Sequence, residues 1–240
     1  WMNDRENPEV IQYIEAENNY CDKMLNHTEQ FQNKLFEEMK ARIKEDDESV
    51  PYKYNGYWYI VKFETGKGYP IYIRRKESLE APDELLFDCN EMAEGHPYFK
   101  LVGISVSPDN TKVSYGLDTL GRRQYTLYIK DLVTKEIYPE RIENTSGSSS
   151  WANDNKTLFY ASKNEQTLRS ENVLKHTLNT NPETDVLVFH EEDDTFNVTV
   201  YKSKSRQFII IASHSTLTNE YQILDADKPN DEFRLFQSRI

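Results

Sequence analysis

Cysteine is scarce in this chain. Only Cys21 and Cys89 occur in 240 residues, and two thiols so widely spaced make neither a disulfide framework nor a zinc signature. Glycine (8) and proline (9) are also few, which excludes a low-complexity, linker-like chain. No stretch approaches the roughly 20 apolar residues that a membrane-spanning helix requires, so no membrane contact is expected. Residues 1–20 are polar and charged throughout, and no secretory signal is visible. The expected compartment is the cytoplasm. The chain opens on Trp1 rather than Met, so the periplasm stays open if an upstream signal was removed. The sequons Asn26-His27-Thr28 and Asn144-Thr145-Ser146 then read as chance matches.

Positive charge is in deficit. Lys and Arg number 29 against 41 Asp and Glu, a formal net charge of −12. Such a surface repels a nucleic-acid backbone, so no nucleic-acid partner is expected. It attracts cationic peptides by steering that fades with salt. The plainer reading is that the acidic surface only keeps the protein in solution.

Catalytic and metal motifs are missing as well. An α/β-type serine hydrolase needs Gly-x-Ser-x-Gly at a strand-to-helix turn, and the chain has none. Its nearest serine cluster is Ser146-Gly147-Ser148-Ser149-Ser150, which reads as the lead-in to an inner strand. The five histidines, His27, His96, His176, His190 and His214, show no His-Glu-x-x-His or other compact ligand spacing. Gly66-Lys67-Gly68 is a short turn and no phosphate cradle. We therefore expect no catalytic residue, no metal and no cofactor in this chain.

What is present is aromatic: 16 Tyr, 11 Phe and 3 Trp, enough to bury a core that disordered chains lack. Residues 1–47 read as helices. Asn7-Pro8 is a start signal, because Asn caps well and Pro at the first helical position loses no hydrogen bond. A second helix is expected from about Thr28. It places Phe31, Leu35, Met39 and Ile43 four residues apart on one face, with Glu37, Glu38, Lys40 and Arg42 mostly opposite. That apolar stripe needs a partner. From Val50 the period changes to that of strands, as in Tyr57-Trp58-Tyr59-Ile60-Val61.

A repeat organises the rest. Ser107-Pro108-Asp109-Asn110 precedes a strand at Thr111–Tyr115, and Ala152-Asn153-Asp154-Asn155 precedes one at Lys156–Tyr160. Ser203-Lys204-Ser205-Arg206 and Tyr54-Asn55-Gly56 stand in the same relation to the strands after them. Third strands are expected at Gln124–Asp131, Asn172–Leu178 and Glu220–Asp225. Short fourth strands are expected at Ile137–Glu140, Val186–His190 and Phe233–Phe236. Four antiparallel strands per 40–50 residues is the signature of a β-propeller blade. A β-sandwich does not predict the recurring turn chemistry. The fold class expected is mainly β: about four blades, near 48–92, 98–141, 146–191 and 195–240, preceded by the 1–47 helical leader. A closed four-bladed ring is one completion. A larger ring, cut short here, also accounts for the leader's uncovered stripe.

At particular runs the chain resembles the prolyl oligopeptidase family, and within it the oligopeptidase B (protease II) branch. The runs are Asn7-Pro8-Glu9-Val10, Glu15-Ala16-Glu17-Asn18, Val50-Pro51-Tyr52, Gly121-Arg122-Arg123-Gln124-Tyr125 and Leu224-Asp225-Ala226. The most specific is Ser150-Trp151-Ala152-Asn153-Asp154 with Thr157-Leu158-Phe159-Tyr160, backed by Thr167-Leu168, His176 and Glu191-Glu192-Asp193-Asp194-Thr195. The resemblance implies a seven-bladed propeller capping an α/β-hydrolase domain, with the leader packed on the hydrolase side. It implies cleavage of short peptides after Arg or Lys, the propeller limiting substrate size. The Ser-Asp-His triad and the acidic specificity residues would lie beyond Ile240, so no catalytic residue is carried over. Partners are then the hydrolase domain of the same polypeptide and short basic peptides, and the separate piece would self-associate through bare edges.

Prolyl oligopeptidase proper, cleaving after proline, and a free-standing propeller scaffold remain alternatives. Ser146, Ser148 and Ser150 are the candidates for channel- or cleft-facing residues. Glu191, Glu192, Asp193 and Asp194, with Arg122 and Arg123, are candidates for electrostatic steering or interdomain contacts, or else for ordinary solvated loops.

Overall fold

The computed structural model describes residues 1–239. The chain divides into two compact units, one formed by Trp1–Glu48 and Phe63–Gly66, the other by Ser49–Lys62 and the chain from Lys67 onward.

The first unit is helical. Helix α1 (Pro8–Leu25) starts where the Asn-Pro signal places it: Asn7 Oδ1 accepts the Glu9 N–H at 2.9 Å, satisfying one orphan donor of the first turn. A 3₁₀ turn at Asn26–Thr28 separates it from α2 (Glu29–Lys40). The Thr28 hydroxyl donates to the Leu25 carbonyl at 2.6 Å and accepts from Gln32 Nε2 at 2.7 Å, which stitches the junction. The stripe on α2 stays open to solvent, with Phe31 64%, Leu35 43% and Met39 59% exposed. Ile43, its fourth member, lies past the helix end and is 68% exposed. The short strand β1 (Asp47–Glu48) completes the unit.

The second unit is antiparallel β-sheet. Its strands are β2 (Tyr52–Tyr54), β3 (Tyr57–Phe63), β4 (Ile71–Lys76) and β5 (Glu84–Asp88), followed by the one-turn helix α3 (Cys89–Met92). Next come β6 (Lys100–Val106), β7 (Lys112–Asp118), β8 (Tyr125–Asp131), β9 (Ile142–Trp151), β10 (Thr157–Lys163), β11 (Ser170–Thr177) and β12 (Val186–His190). The last four are β13 (Asn197–Lys202), β14 (Phe208–His214), β15 (Asn219–Asp225) and β16 (Arg234–Gln237). Strands β2–β5 are sequential antiparallel neighbours, β6–β12 form one continuous seven-stranded sheet, and β13–β16 form the last.

The structure departs from the sequence reading at one strand. Ile137–Glu140, expected as a fourth strand, makes a single bridge, Ile137 to Lys130. Pro139 lacks the N–H that a ladder needs there. Its place beside β8 is taken by the start of β9, where Ile142 pairs with Leu127 and Thr145 with Tyr125. The end of β9 pairs instead with β10, Trp151 against Leu158 and Ser150 against Phe159. One strand therefore serves two neighbouring blades, which is why seven strands run on without a break.

Consecutive sheets pack face to face through apolar clusters. Leu86, Phe87, Leu101, Val113 and Tyr115 fill one seam, and Phe159, Val173, Val198, Ile209 and Ile211 another. Between them, Ile129, Trp151 and Leu158 form a third cluster, and the Trp151 indole N–H donates to the Ser105 carbonyl at 2.9 Å. Sequential antiparallel strands repeating in fours, with apolar seams between neighbouring groups, are the architecture of a propeller. The fold is mainly β, a partial β-propeller preceded by helices.

Candidate functional site

Four turns converge near the inner ends of the sheets. Each is the repeated turn of the sequence, and each holds one non-glycine residue in the left-handed region: Asn55 (φ 48°), Asn110 (φ 62°), Asn155 (φ 60°) and Arg206 (φ 64°). Asn tolerates this conformation because its short polar side chain bonds locally. Side chains link the turns in sequence. Asn55 Nδ2 donates to the Pro108 carbonyl at 2.8 Å, and Asn110 Nδ2 to the Asn55 carbonyl at 3.2 Å. The Asp109 N–H donates to Asn155 Oδ1 at 2.8 Å, and Asn153 Nδ2 to the Arg206 carbonyl at 3.3 Å. The Arg206 guanidinium then reaches Asn55 Oδ1, joining the last turn to the first.

Under these turns lies a cavity of about 290 Å³, lined by Tyr52, Tyr54, Tyr59, Pro108, Ser150, Trp151, Lys202 and Arg206 among others. A second cavity of about 230 Å³ shares Tyr52, Tyr59 and Ile104 with it and is otherwise lined mainly by Val61, Ile73, Leu86 and Leu101. Tyr52 and Tyr59 stack with ring centroids 5.2 Å apart.

The polar groups of this cavity are unusually placed. Lys202 is half-buried, and its ammonium donates to Asn153 Oδ1 at 2.5 Å, a neutral partner. Burial, and then the Arg206 charge, push its pKa down to about 8, against the pull of Asp227 and Asp154. Among the described residues neither Lys202 nor Arg206 has a carboxylate within ion-pair distance. Ser150 is 3% exposed and its Oγ has no hydrogen-bond partner. Burial pushes the Tyr59 phenol up to about 12, and its hydroxyl is likewise without a partner meeting hydrogen-bond geometry.

Of the serines singled out from the sequence, only Ser150 lines this cavity. Ser146 is half-buried and Ser148 exposed, and neither lines it. Between them Gly147 turns the strand at φ +86°. A Cβ there would come within 2.5 Å of Val102 Cγ2 and 2.8 Å of Tyr125 Cγ, so only glycine fits.

The acidic run also divides. Glu191 is corrected from a steering residue to an interior one: it is 3% exposed and accepts from the Ser213 hydroxyl. Arg239 Nη2 meets it at 2.9 Å and Arg239 Nε meets Glu220 at 3.3 Å. Burial works to raise the Glu191 carboxyl, but Ser213 and Arg239 outweigh it and hold it low. Asp193 is exposed, 3.9 Å from Arg239, while Glu192 and Asp194 are exposed without an ion pair among the described residues. Arg122 and Arg123 are exposed in the β7–β8 hairpin, which Asp118 organises by accepting the N–H groups of Leu120, Gly121 and Arg123 at 2.9, 2.9 and 2.7 Å.

Sequence reasoning missed the tyrosines, Lys202 and Arg206, since they come together only when the separate turns converge. It also missed a buried network in which Asp185 joins His176 Nδ1 at 2.7 Å and the Tyr160 hydroxyl at 2.8 Å. Burial, then the Asp185 charge, raise the Tyr160 pKa.

Comparison with known proteins places the whole arrangement. All of residues 1–240 match the family described as "Prolyl oligopeptidase, N-terminal beta-propeller domain". The chain belongs to the prolyl oligopeptidase family. Within that family it is 38% identical to dipeptidyl aminopeptidase BI of Pseudoxanthomonas mexicana, over 95% of this chain and 34% of that protein. It is 32% identical to protease 2 of Moraxella lacunata, over 100% of this chain and 36% of that protein. Oligopeptidase B from Leishmania major superposes on 99% of the chain with a TM-score of 0.90 at 28% identity, using 34% of that structure. The chain thus spans about a third of the length of the relatives it matches. No helix among the described residues is long and apolar enough to cross a membrane, and no cluster among them could hold a metal ion.

Proposed function

We propose that this chain is the access-controlling, non-catalytic part of an oligopeptidase B-like serine peptidase that cleaves short peptides after Arg or Lys. The observation that carries the reading is the superposition of 99% of this chain on a third of oligopeptidase B at a TM-score of 0.90. The linked turns support it, because side chains bonded from one turn to the next hold the blades together and resist the spreading that a folded domain would need to enter. The exposed stripe of α2 would meet the hydrolase domain. The exposed carboxylates of Glu192, Asp193 and Asp194 support a steering role for basic peptides, which would weaken as salt rises. Ser146 and Ser148 are proposed to face the peptide's path, and Arg122 and Arg123 an interdomain contact. The cytoplasm suits two free, widely spaced thiols.

A second reading comes from the 38% identity to a dipeptidyl aminopeptidase: release of dipeptides from free amino termini. One chimera separates the readings. This chain replaces the aligned N-terminal third of protease 2 of Moraxella lacunata, with unmodified protease 2 assayed beside it. Because the residues that choose the cleavage site would lie in the hydrolase part, the readout is the difference from unmodified protease 2. Amino-blocked Arg and Lys substrates are expected to be cleaved with comparable kcat/KM by both, and a chimera that loses blocked substrates while keeping free-amino dipeptidyl ones would favour the second reading over the first.

A further inference from the structure

The two cations beside the larger cavity are the least expected feature of an acidic protein. In a chain of net charge −12, Lys202 and Arg206 meet only neutral partners. Lys202 faces Asn153 Oδ1, while Arg206 faces Asn55 Oδ1 and lies over the Tyr54 ring at 5.9 Å. Asp154 and Asp227 attract the Lys202 charge without reaching ion-pair distance and do not offset its burial, and desolvating a lysine with no carboxylate in contact is unfavourable, so the place is prepared for an anion. The buried, unpartnered Ser150 hydroxyl on the same wall is a waiting hydrogen-bond group, since buried polar atoms are seldom left without partners. Next door, across the stacked Tyr52 and Tyr59 rings, lies the cavity lined by Val61, Ile73, Leu86 and Leu101.

We propose that these adjoining cavities bind the C-terminal end of a short peptide. The terminal carboxylate lies between Lys202 and Arg206 and is bonded by Ser150, and an apolar last side chain enters the neighbouring cavity. The inference rests on the reading of the ring as a passage for peptides, and it adds what the passage recognises. A peptide ending in Arg or Lys is disfavoured, because its charged side chain would be desolvated in that apolar cavity. The ring therefore holds a peptide by its original C terminus, not by the basic end that cleavage after Arg or Lys creates.

Calorimetric titration of the full chain tests this with three probes: acetyl-Ala-Ala-Leu acid, its C-terminal amide, and acetyl-Ala-Asp-Leu amide. The acid is expected to saturate one site, with both amides weaker by about tenfold or more. Lys202→Gln and Arg206→Gln should each weaken the acid about tenfold, comparable to losing a charged hydrogen bond. Arg122→Gln, an exposed cation remote from the cavity lining, should not change it. If either pocket variant fails to keep the parent melting profile, Ser150→Ala replaces it, with several-fold weaker acid binding expected. Equal binding of acid and amide, or no saturable heat with the acid, overturns the site. Tight binding of the Asp amide overturns its assignment to the chain terminus. A chimera that admits large substrates would refute the gate and leave this binding result standing, so the two readings fail separately.

Discussion

At the residue scale, the account turns on groups held in unfavourable states by their surroundings. Lys202 has a folded pKa of about 8 against 10.5 for the free side chain. Between those values the unfolded chain binds more protons than the folded one, so this residue makes stability rise with pH across roughly pH 8 to 10. Below pH 8 both forms are protonated and the buried charge is a standing cost, on the order of 1–3 kcal/mol. Lys202→Met is expected to stabilise the chain at pH 7 and to flatten the rise above pH 8 in urea unfolding series; an unchanged pH profile would contradict this. Gly147 makes the opposite kind of demand. Its positive φ and the nearness of Val102 and Tyr125 predict that Gly147→Ala costs about 3 kcal/mol or more, read from the urea midpoint. Trp151 is 2% exposed and bonds across the seam to Ser105, so Trp151→Ala is expected to cost about 3–5 kcal/mol.

Glu191 and Lys202 also show why the site was only partly legible. The acidic run looked solvated because Arg239, which draws Glu191 inward, stands far along the chain. Lys202 looked like any strand-end lysine, since nothing nearby in sequence says that three other turns will cover it. Ser150 was legible as an inner-strand residue, but its unpartnered hydroxyl was not. The bend at Gly147, between Ser146 and Ser148, does not show in strand alternation alone.

At the scale of elements, the sequence was more informative. The repeated polar turn marked the same position four times, and the backbone confirms the alignment through the left-handed φ of Asn55, Asn110, Asn155 and Arg206. Such turns carry their conformation in their own residues. Asn155→Gly should therefore cost only the bond its Oδ1 accepts from the Asp109 N–H, about 1 kcal/mol, whereas Asn155→Val should cost roughly 1–3 kcal/mol more, because β-branched residues resist positive φ. Thermal melts of the two variants check the difference. The helix start at Asn7-Pro8 was legible for the same local reason. The fourth strand expected at Ile137–Glu140 is reduced to one bridge, because Pro139 brings no N–H to a ladder. The stripe of Phe31, Leu35 and Met39, with Phe36 62% exposed beside it, is large enough to drive association. Replacing Phe31, Phe36 and Met39 with Glu is expected to lower the association seen by light scattering, and an unchanged mass distribution would exclude this face as its cause.

At the scale of the whole molecule, fold and family were legible because both are written along the entire chain, in repeat spacing and in many short matched runs. What lies between blades was not, since seams, linked turns and cavities depend on residues brought together from four separate repeats. The central claim is that these repeats form a passage selecting substrates by size. The most direct measurement presents the protease 2 chimera with one Arg-containing sequence twice, as a short free peptide and as an exposed loop of a folded protein, and compares kcat/KM. Cleavage of the peptide is expected, with a rate at least about a hundredfold lower for the folded protein, a barrier difference near 3 kcal/mol. Comparable kcat/KM for the two would contradict it.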